Sequence, residues 1–303
     1  MRNTRQRIVI TGGKGFIGSF LIERLLALGY EEVVSLDRSF ERIEKPKINY
    51  VPCDVGRHTQ IMFEQIRKGD IVIHLACSTF PSISEIDRIK GAQENIIGSI
   101  NLLEVCRKKG VEKFIFPSSG GTIYGDTYVR PFVESDPTNP KNSYAAMKVA
   151  VESFIGVYEH LHRLPSVIMR ISNPYGRRFL TTHQLGAIDV FFHQARTEQA
   201  ITIWGDGEQV RDYIYISDVI DFLILAIEKK SVSGVYNIGT GIGTNLKQVV
   251  QLIGETLGGK IPVSYKEQRN IDVPYSVLNI EKARGVGWAP KFELSCGIKK
   301  LLG

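Results

Sequence analysis

Through the first half of the chain, short apolar runs alternate with longer segments in which apolar residues recur at helical spacing. The short runs, which predict strands, lie at 8–11, 33–37, 49–53, 71–76, 114–119 and 166–172. The longer segments, which predict helices, lie near 16–28, 59–68, 92–109 and 142–162. Strands that alternate with helices are typical of right-handed βαβ units, which build a parallel sheet with helices on both faces. The pattern therefore predicts an α/β protein with a doubly wound parallel sheet.

The first predicted strand runs into closely spaced glycines that fit two related spacings. These are Gly12-x-x-Gly15-x-x-Gly18 and Gly13-x-Gly15-x-x-Gly18. Glycine lets a backbone turn tightly and approach a pyrophosphate, and the N-terminus of the next helix offers N–H groups to phosphates. The second predicted strand ends in Asp37, about 20 residues further on, where a carboxylate would hold the ribose hydroxyls of a dinucleotide. Together these features predict a Rossmann-type dinucleotide-binding sheet.

The pattern changes after Asn173, where the elements become shorter and loops more frequent. One later run, at 235–239, has the character of a strand able to rejoin the sheet. We therefore predict a dinucleotide-binding Rossmann domain over residues 1–172, which residues from about 210 to about 240 rejoin. A smaller, interleaved C-terminal lobe, formed mainly by 173–303, would bind the substrate.

Composition narrows the class of protein. With 303 residues, of which 43% are hydrophobic and 23% charged, the chain can bury a large core. It has no apolar run of about 18 residues, and its first strand begins too early to leave room for a signal peptide, so we expect a cytoplasmic protein that does not engage a membrane. The net charge of +6 is modest and its basic residues are dispersed, which argues against nucleic acid as a partner. Four scattered cysteines without a C-x-x-C pair predict neither disulfides nor a metal site.

Two segments carry candidate catalytic side chains. Tyr144 and Lys148 are one helical turn apart and would share a helix face. A free tyrosine has a pKa of about 10, so it needs positive charge close by to act as a base at neutral pH. Lys148 and an oxidised nicotinamide ring could both supply that charge. The other segment, 118–125, follows a predicted strand and is rich in hydroxyls and glycines. Because ligands of open α/β sheets bind beyond the carboxyl ends of the strands, we expect both segments to meet the glycine turn in one cleft.

These motifs resemble those of the extended short-chain dehydrogenases/reductases, and most closely the nucleotide-sugar 4-epimerases of the UDP-galactose 4-epimerase type. The resemblance covers nearly the whole chain. Its motifs are Thr11 to Gly18, Cys53-Asp54-Val55, His74-Leu75-Ala76, Glu94 to Gly98, Ser118 to Gly125, Tyr144 to Lys148, Asn173 to Gly176, Trp204 to Val219, Tyr236 to Gly241, Arg269 to Asp272 and Gly287 to Pro290.

The resemblance implies NAD as the cofactor. The residues that would contact it are Gly12, Gly15, Phe16, Ile17, Gly18, Asp37, Arg38, Asp54, Val55, Leu75, Ala76, Asn95, Tyr144 and Lys148. Asp54 would meet the adenine amino group, and Asn95 would lie near the reacting end. Asp37 would repel the 2′-phosphate of NADP, although Lys14 and Arg38 flank the same region and could bind that phosphate. On balance we favour NAD.

The resemblance also implies a UDP-sugar substrate. The residues that would bind it are Thr79, Asn173, Ile203, Arg211, Arg269, Asp272 and Ser276. In this scheme Asn173, Arg211 and Arg269 hold the diphosphate, since the rigid fork of arginine suits phosphate oxygens, and Asp272 holds the uridine ribose. The resemblance implies that Tyr144 takes the proton of the C4 hydroxyl while hydride passes from C4 to NAD, which gives a transient 4-keto sugar. The keto sugar would turn about its link to the diphosphate and receive the hydride on its other face. The cofactor would end unchanged.

The hydroxyl-rich turn departs from the family pattern. Many relatives have Ser or Thr where this chain has Gly120, and that hydroxyl shares the proton with the tyrosine. Ser119 and Thr122 are the available substitutes, and we prefer Ser119. Sugar 4,6-dehydratases carry an Asp-Glu pair where this chain has Gly121 and Thr122, which argues against dehydration.

The choice of sugar is left open by the sequence. Relatives that accept N-acetylated sugars tend to have a small residue at the position of Ser276, so UDP-GlcNAc and UDP-GalNAc are candidates beside UDP-glucose and UDP-galactose. Arg177 and Arg178 could instead read a uronate carboxylate, so UDP-glucuronate 4-epimerisation is an alternative. A second alternative is a net NAD(P)-dependent nucleotide-sugar reductase, which would use the same tyrosine and lysine but consume its cofactor.

Relatives dimerise through the helices that follow their fourth and fifth strands, and the apolar surplus of 92–109 and 142–162 predicts a homodimer here. The surplus residues are Ile96, Ile97, Ile100, Leu103, Val149, Phe154 and Val157.

Overall fold

The computed structural model describes residues 3–38, 47–79, 84–176, 186–269 and 273–302. By its internal contacts the chain forms two compact units. The first comprises Met1–Ser118, Asn142–Met169 and Ile220–Tyr236, and the second comprises Ser119–Lys141, Arg170–Val219 and Asn237–Gly303.

Thirteen strands and ten α-helices occupy these described ranges. The strands are β1 Ile8–Thr11, β2 Val33–Asp37, β3 Ile48–Pro52, β4 Ile71–His74, β5 Lys113–Ser119, β6 Ser166–Ile171, β7 Asn173–Tyr175, β8 Ile201–Trp204, β9 Val210–Tyr215, β10 Gly234–Ile238, β11 Gly243–Asn245, β12 Val263–Lys266 and β13 Tyr275–Ser276. The helices are α1 Phe16–Ala27, α2 Thr59–Gln65, α3 Arg88–Ala92, α4 Gly98–Lys109, α5 Ser143–His162, α6 Ala187–Arg196, α7 Ile216–Glu228, α8 Leu246–Leu257, α9 Glu281–Gly285 and α10 Leu294–Lys299. A π-helical turn, Gln93–Ile97, joins α3 to α4, and a 3₁₀ turn, Lys300–Leu302, follows α10.

The first unit is built on a seven-stranded sheet of order β10-β6-β5-β4-β1-β2-β3. The pairs β1–β2, β1–β4, β2–β3 and β4–β5 are parallel. The chain moves outward from β1 in one direction through β2 and β3, and then in the other through β4, β5 and β6. This reversal beside β1 is the switch point at which doubly wound sheets bind their ligands. The predicted Rossmann-type fold is confirmed.

The apolar runs became central strands because both faces of a parallel sheet are covered. Every residue of β1, β4 and β5 is buried. One core cluster packs the strands against α2, α4 and α5, and includes Val9, Met62, Val72, Leu102, Phe114 and Ile155. The carboxyl ends of β1, β2, β4 and β5 are therefore held rigidly, and the candidate residues of the first unit follow these ends.

The second unit has two smaller sheets. Strand β9 pairs with β11 in antiparallel and with β13 and β7 in parallel orientation, while β8 pairs with β12. Helices α6, α8 and α10 contribute to a core cluster that includes Ile188, Phe192, Val249, Ile253 and Ile298.

Residues 119–141 belong to the second unit, although the sequence boundary was predicted at residue 172. Phe132 explains this placement, because its N–H donates to Val277 O and its own carbonyl accepts from Asn279 N–H, at 2.9 and 2.8 Å. The assignment of a cofactor domain and a substrate lobe stays a prediction. Among the helices within the described ranges, none is long and apolar enough to cross a membrane.

Candidate active site

The glycine turn after β1 is shaped by close backbone approach. Gly12 has a φ of +74°, and a Cβ there would lie 2.8 Å from Ala76 N. A Cβ on Gly18 would lie 2.6 Å from Gly12 O, so α1 begins in direct contact with the turn. No side chain caps α1 at Gly15. The result is a cradle of backbone atoms at a helix N-terminus, which fits the pyrophosphate of a dinucleotide.

Asp37 is oriented at the end of β2. This residue is 8% exposed, and its carboxylate accepts hydrogen bonds from Ser35 Oγ at 2.5 Å and from the backbone N–H of Lys14 at 3.1 Å. A carboxylate fixed beside the glycine turn suits the hydroxyls of an adenosine ribose.

The two nearby cations have protein partners of their own. Arg38 Nη1 lies 3.2 Å from Glu94 Oε2, and Lys14 Nζ lies 5.4 Å from the centre of the Tyr50 ring. Both cations that could have bound the 2′-phosphate of NADP are thus in contact with other side chains of the protein. This arrangement fits NAD, which lacks that phosphate.

Other predicted cofactor residues line the neighbouring turns. Asp54 Oδ1 accepts the backbone N–H of Gly56 at 2.9 Å, in the turn after β3. Val55 is buried, and a Cβ on Gly98 would lie 3.0 Å from its Cγ2. In the turn after β4, the Leu75 N–H donates to Thr11 O at 3.0 Å.

Tyr144 and Lys148 lie on the first turns of α5. Asn142 caps this helix by accepting Ala145 N–H at 2.9 Å, and Glu85 accepts the N–H of Ser143 at 2.7 Å. The hydrogen bonds from Ser143 lower the pKa of Glu85 to about 2, with a smaller contribution from Arg88. The start of α5 is thus anchored one residue before the candidate base.

Lys148 is placed by the end of β5. Its Nζ donates to Pro117 O at 2.9 Å and lies 4.5 Å from the centre of the Phe116 ring. The same Nζ lies 5.8 Å from the centre of the Tyr144 ring. Both side chains line a small cavity, together with Ala76, Cys77, Thr79, Asn95, Ser99, Phe116, Met147 and Val151.

Asn95 lies in the π-helical turn and organises the loop after β4. Its Oδ1 accepts Ser78 N–H at 3.0 Å, and its Nδ2 donates to Thr79 Oγ1 at 3.1 Å and to Gly91 O at 2.8 Å. The sequence predicted Asn95 as a cofactor contact, and in the structure its amide groups bind protein atoms that shape the cavity.

The hydroxyl-rich turn has no room for a side chain at Gly120. A Cβ there would lie 2.8 Å from Arg170 O and 2.6 Å from Leu278 Cδ1. Thr122 Oγ1 donates to Ser119 Oγ at 2.9 Å, so the two substitute hydroxyls form a pair. Ser118 Oγ is buried, and it has no hydrogen-bond partner among the residues that the structure describes.

Three predicted substrate residues meet on β9 and its neighbours. Arg211 lies opposite Ser276 in the register of β9 and β13, and Asn173 on β7 lies opposite Tyr213. Asn173 Nδ2 donates to Asp212 O at 3.0 Å. Ser276 is 3% exposed, and its Oγ lies 3.5 Å from Gly120 O.

A second group surrounds the end of β8. Ile203 is buried in the core of the second unit, and the following residue, Trp204, is exposed. The Arg269 guanidinium lies 5.4 Å and Lys266 Nζ 5.1 Å from the Trp204 ring. Trp204 was not predicted as an individual candidate from the sequence, because only the fold places two cations beside it. Asp272, Arg177 and Arg178 lie outside the described residues.

Among the residues that the structure describes, no group of three or more His, Cys, Asp or Glu side chains is arranged to hold a metal ion. All four cysteines are free thiols.

The doubly wound sheet, the glycine cradle, the oriented Asp37 and the paired Tyr144 and Lys148 define a dinucleotide-dependent enzyme. The sequence model of the NAD dependent epimerase/dehydratase family matches residues 8–239. The chain therefore belongs to this family. The predicted membership of the nucleotide-sugar epimerases among the extended short-chain dehydrogenases/reductases is confirmed, and so is NAD as the cofactor.

Three similar proteins span nearly the whole chain. A putative UDP-glucose 4-epimerase of Methanocaldococcus jannaschii is 32% identical over 300 residues, which cover 97% of each chain. The crystal structure of a UDP-glucose 4-epimerase of Thermotoga maritima with UDP-glucose has a TM-score of 0.91 and 34% identity, covering 98% of this chain and 97% of that one. A UDP-N-acetylglucosamine 4-epimerase of Methanobrevibacter ruminantium, in complex with UDP-N-acetylmuramic acid, has a TM-score of 0.91 and 25% identity, covering 100% and 98%.

Proposed function

We propose that this enzyme inverts C4 of a UDP-sugar through a transient 4-keto sugar. The observation that carries the proposal is the geometry around Lys148, whose ammonium group is fixed on Pro117 O beside the Tyr144 ring and in the same cavity. The UDP-sugars in the names of the similar epimerases support the choice of substrate class.

NAD fits the residues that would hold it. The backbone around Gly12, Gly15 and Gly18 binds the pyrophosphate, and Asp37 binds the adenosine ribose. Bound NAD supplies reversible oxidation at the sugar carbon.

The protein's own side chains move the proton and hold the substrate. Tyr144 takes the proton of the C4 hydroxyl and later returns it, and the charge of Lys148 stabilises the phenolate. Ser119 relays this proton in place of the missing hydroxyl at position 120, with Thr122 orienting it through the 2.9 Å hydrogen bond. Asn173, Arg211 and Arg269 anchor the diphosphate, with Asp272 on the uridine ribose, so that the sugar can turn while the nucleotide stays in place.

The turn after β5 argues against elimination of water. Dehydration requires an extra acid and base, but Gly121 offers no side chain, and a Cβ there would lie 3.3 Å from the Asn173 amide. A carboxylate side chain at this position would be in tight contact with Asn173, a residue that we assign to the substrate.

We favour UDP-GlcNAc and UDP-GalNAc as the sugar pair. Ser276 is small, and its Oγ lies 3.5 Å from Gly120 O. We propose that the absence of a larger side chain at this position lets the enzyme accept an acetamido group. UDP-glucose and UDP-galactose, which lack this group, would also fit. The alternative substrate, UDP-glucuronate, depends on Arg177 and Arg178.

Proton NMR of the anomeric signals tests these proposals. We would incubate the purified enzyme and a trace of NAD separately with UDP-GlcNAc, UDP-glucose and UDP-glucuronate. New signals of the C4 epimer without net consumption of NAD support epimerisation and identify the sugar. Loss of the UDP-sugar equimolar with conversion of NAD to NADH would instead show net oxidoreductase chemistry, the reductase alternative running in the oxidising direction. The Tyr144→Phe variant should be inactive in either case.

We also propose that two copies of the chain pair through α5 and the π-helical turn. Phe154, Val157 and Leu161 are exposed on one face of α5, by 38, 48 and 63%, and Ile97 is exposed by 50%. Leu103 does not contribute, because it is fully buried in the core. Sedimentation equilibrium should give a dimer for the native chain and a monomer for Val157→Glu, whereas a native monomer would refute the pairing.

A further inference from the structure

A buried histidine links the turn after β1 to the π-helical turn. His74, at the end of β4, is 2% exposed and lies opposite Thr11 in the register of β1 and β4. Its Nδ1 is 2.7 Å from Thr11 Oγ1, and its Nε2 is 2.8 Å from Ser99 Oγ at the start of α4. His74 belongs neither to the glycine motif nor to the tyrosine–lysine pair, and neither motif explains why a histidine is buried here.

The direction of each hydrogen bond follows from the groups at the two ends. Ser99 Oγ donates its single proton to Asn95 O, so it can only accept from His74 Nε2. At the other end, Thr11 Oγ1 accepts the N–H of Ala76 at 3.2 Å and has its own proton left for His74 Nδ1. The ring is therefore the neutral Nε2–H tautomer. The hydrogen bonds therefore form one continuous series, which runs from Ala76 N–H through Thr11, His74 and Ser99 to Asn95 O.

The surroundings keep the ring neutral. Burial lowers the pKa of His74 to about 3, and the charge of Lys148 lowers it further in the same direction. A second proton, on Nδ1, would leave the hydroxyl proton of fully buried Thr11 without its acceptor.

Both ends of this chain of hydrogen bonds hold the same loop. Thr11 binds the N–H of Ala76, and Asn95 Oδ1 binds the N–H of Ser78 at 3.0 Å. The loop at 76–79 lines the cavity of Tyr144 and Lys148. His74 lies in the middle of this series of hydrogen bonds, so it couples the two points at which the loop is fixed.

We propose that His74 is a positioning residue, which acts as a neutral Nε2–H relay between Thr11 and Ser99 and so holds the loop at 76–79 in its reactive position. It touches neither substrate nor cofactor in this scheme. The kinetic part of its test rests on the proposed function, whereas the spectroscopic part does not.

The tautomer is the direct test. Two-dimensional ¹H–¹⁵N NMR of the imidazole groups, in protein with ¹⁵N-labelled histidine and bound NAD, should show His74 with a proton on Nε2 and none on Nδ1. This pattern should stay constant from about pH 5 to about pH 8, the range over which an unperturbed imidazole changes its charge. A proton on Nδ1, or a change in the protonation of His74 within that pH range, would overturn the proposal whatever the substrate proves to be.

A double-mutant cycle tests whether the His74 ring couples the effects of Thr11 and Ser99 on kcat. Thr11→Val and Ser99→Ala each remove one hydroxyl and should each lower kcat roughly 5-fold, about the value of one net hydrogen bond, with KM for the UDP-sugar unchanged. If His74 couples them, the double variant loses clearly less than the product of the two single losses. Losses that multiply, or that appear in KM alone, would overturn the proposal.

Two further variants distinguish a positioning role from a nonspecific loss of activity after any hydroxyl is removed. Thr11→Ser keeps the hydroxyl and should retain kcat close to that of the native enzyme. Thr256 in α8 donates to Leu252 O at 2.8 Å, the same bond to the fourth preceding carbonyl that Ser99 makes, and Thr256→Val should leave kcat unchanged. A kcat for Thr11→Ser as low as that for Thr11→Val, or an equal loss in Thr256→Val, would refute the positioning role.

Discussion

Replacing Gly12 by alanine tests whether backbone contact shapes the cofactor cradle. A Cβ at Gly12 would lie 2.8 and 2.9 Å from the N and Cα of Ala76, which are backbone atoms that cannot rotate away. Gly69 is a matched control, because its φ of +82° is close to the +74° of Gly12, while a Cβ there would have no neighbour within 4 Å.

Both variants lose stability through backbone conformation, and only one of them also loses stability through overpacking. The left-handed conformation destabilises alanine relative to glycine by about 1 kcal/mol, and this loss applies to both variants. Gly12→Ala adds the strain of an overpacked site, about 1–3 kcal/mol. We therefore expect the free energy of unfolding to fall by about 1 kcal/mol in Gly69→Ala and by about 2–4 kcal/mol in Gly12→Ala.

The displaced turn should also bind NAD more weakly. Loss of even one backbone hydrogen bond to the pyrophosphate, worth about 1.5–3 kcal/mol because the acceptor is charged, weakens binding by at least about 10-fold. Urea unfolding of the protein freed of NAD would measure stability, and titration calorimetry would measure affinity. Equal destabilisation of the two variants, or native affinity for NAD in Gly12→Ala, would refute the argument from close approach.

Three further predictions follow from the site. Gly120→Ser, which introduces the hydroxyl found in many relatives, should lower both thermal stability and kcat, because its Cβ has no room; native stability with higher activity would show that the turn accepts serine. Glu94→Gln releases Arg38 and should raise the affinity for NADP relative to NAD roughly 2- to 5-fold in competitive titration, and an unchanged ratio would contradict our account of cofactor choice. The lowered pKa of Glu85 stabilises the fold above the unfolded pKa, and this contribution is lost as the pH falls from about 5 towards 2. The stability difference between native enzyme and Glu85→Gln, measured by urea unfolding, should shrink over that range, and a constant difference would mean that the hydrogen bond from Ser143 does not need the charge.

Local patterns predicted much of the fold and part of the site. The apolar run at 8–11 became a central strand because its residues bury equally well on both faces of a parallel sheet. The helical spacing of Tyr144 and Lys148 placed them on one face of α5, where both line the same cavity. These features depend on residues a few positions apart, so they can be read from the chain.

The π-helical turn was not predicted. Helical periodicity over 92–109 indicated one continuous helix, whereas the structure has α3, the turn Gln93–Ile97 and α4. A π turn adds a residue to one hydrogen-bonded ring and hardly changes the apolar pattern. Its consequence, the placement of Asn95 on the loop at 76–79, involves partners from another strand end and could not be inferred from spacing.

By itself, the sequence determined the family, the cofactor and the doubly wound parallel sheet, because glycine spacing, strand alternation and a ribose carboxylate are local requirements. Tertiary structure alone decided that Gly120 cannot carry a side chain and that His74 is buried between two hydroxyls. The neighbours that impose these conditions are Leu278, Arg170, Thr11 and Ser99, which come from distant parts of the chain. Steric exclusion and the direction of a hydrogen bond depend on which atoms are in contact, and only the folded chain brings these atoms together.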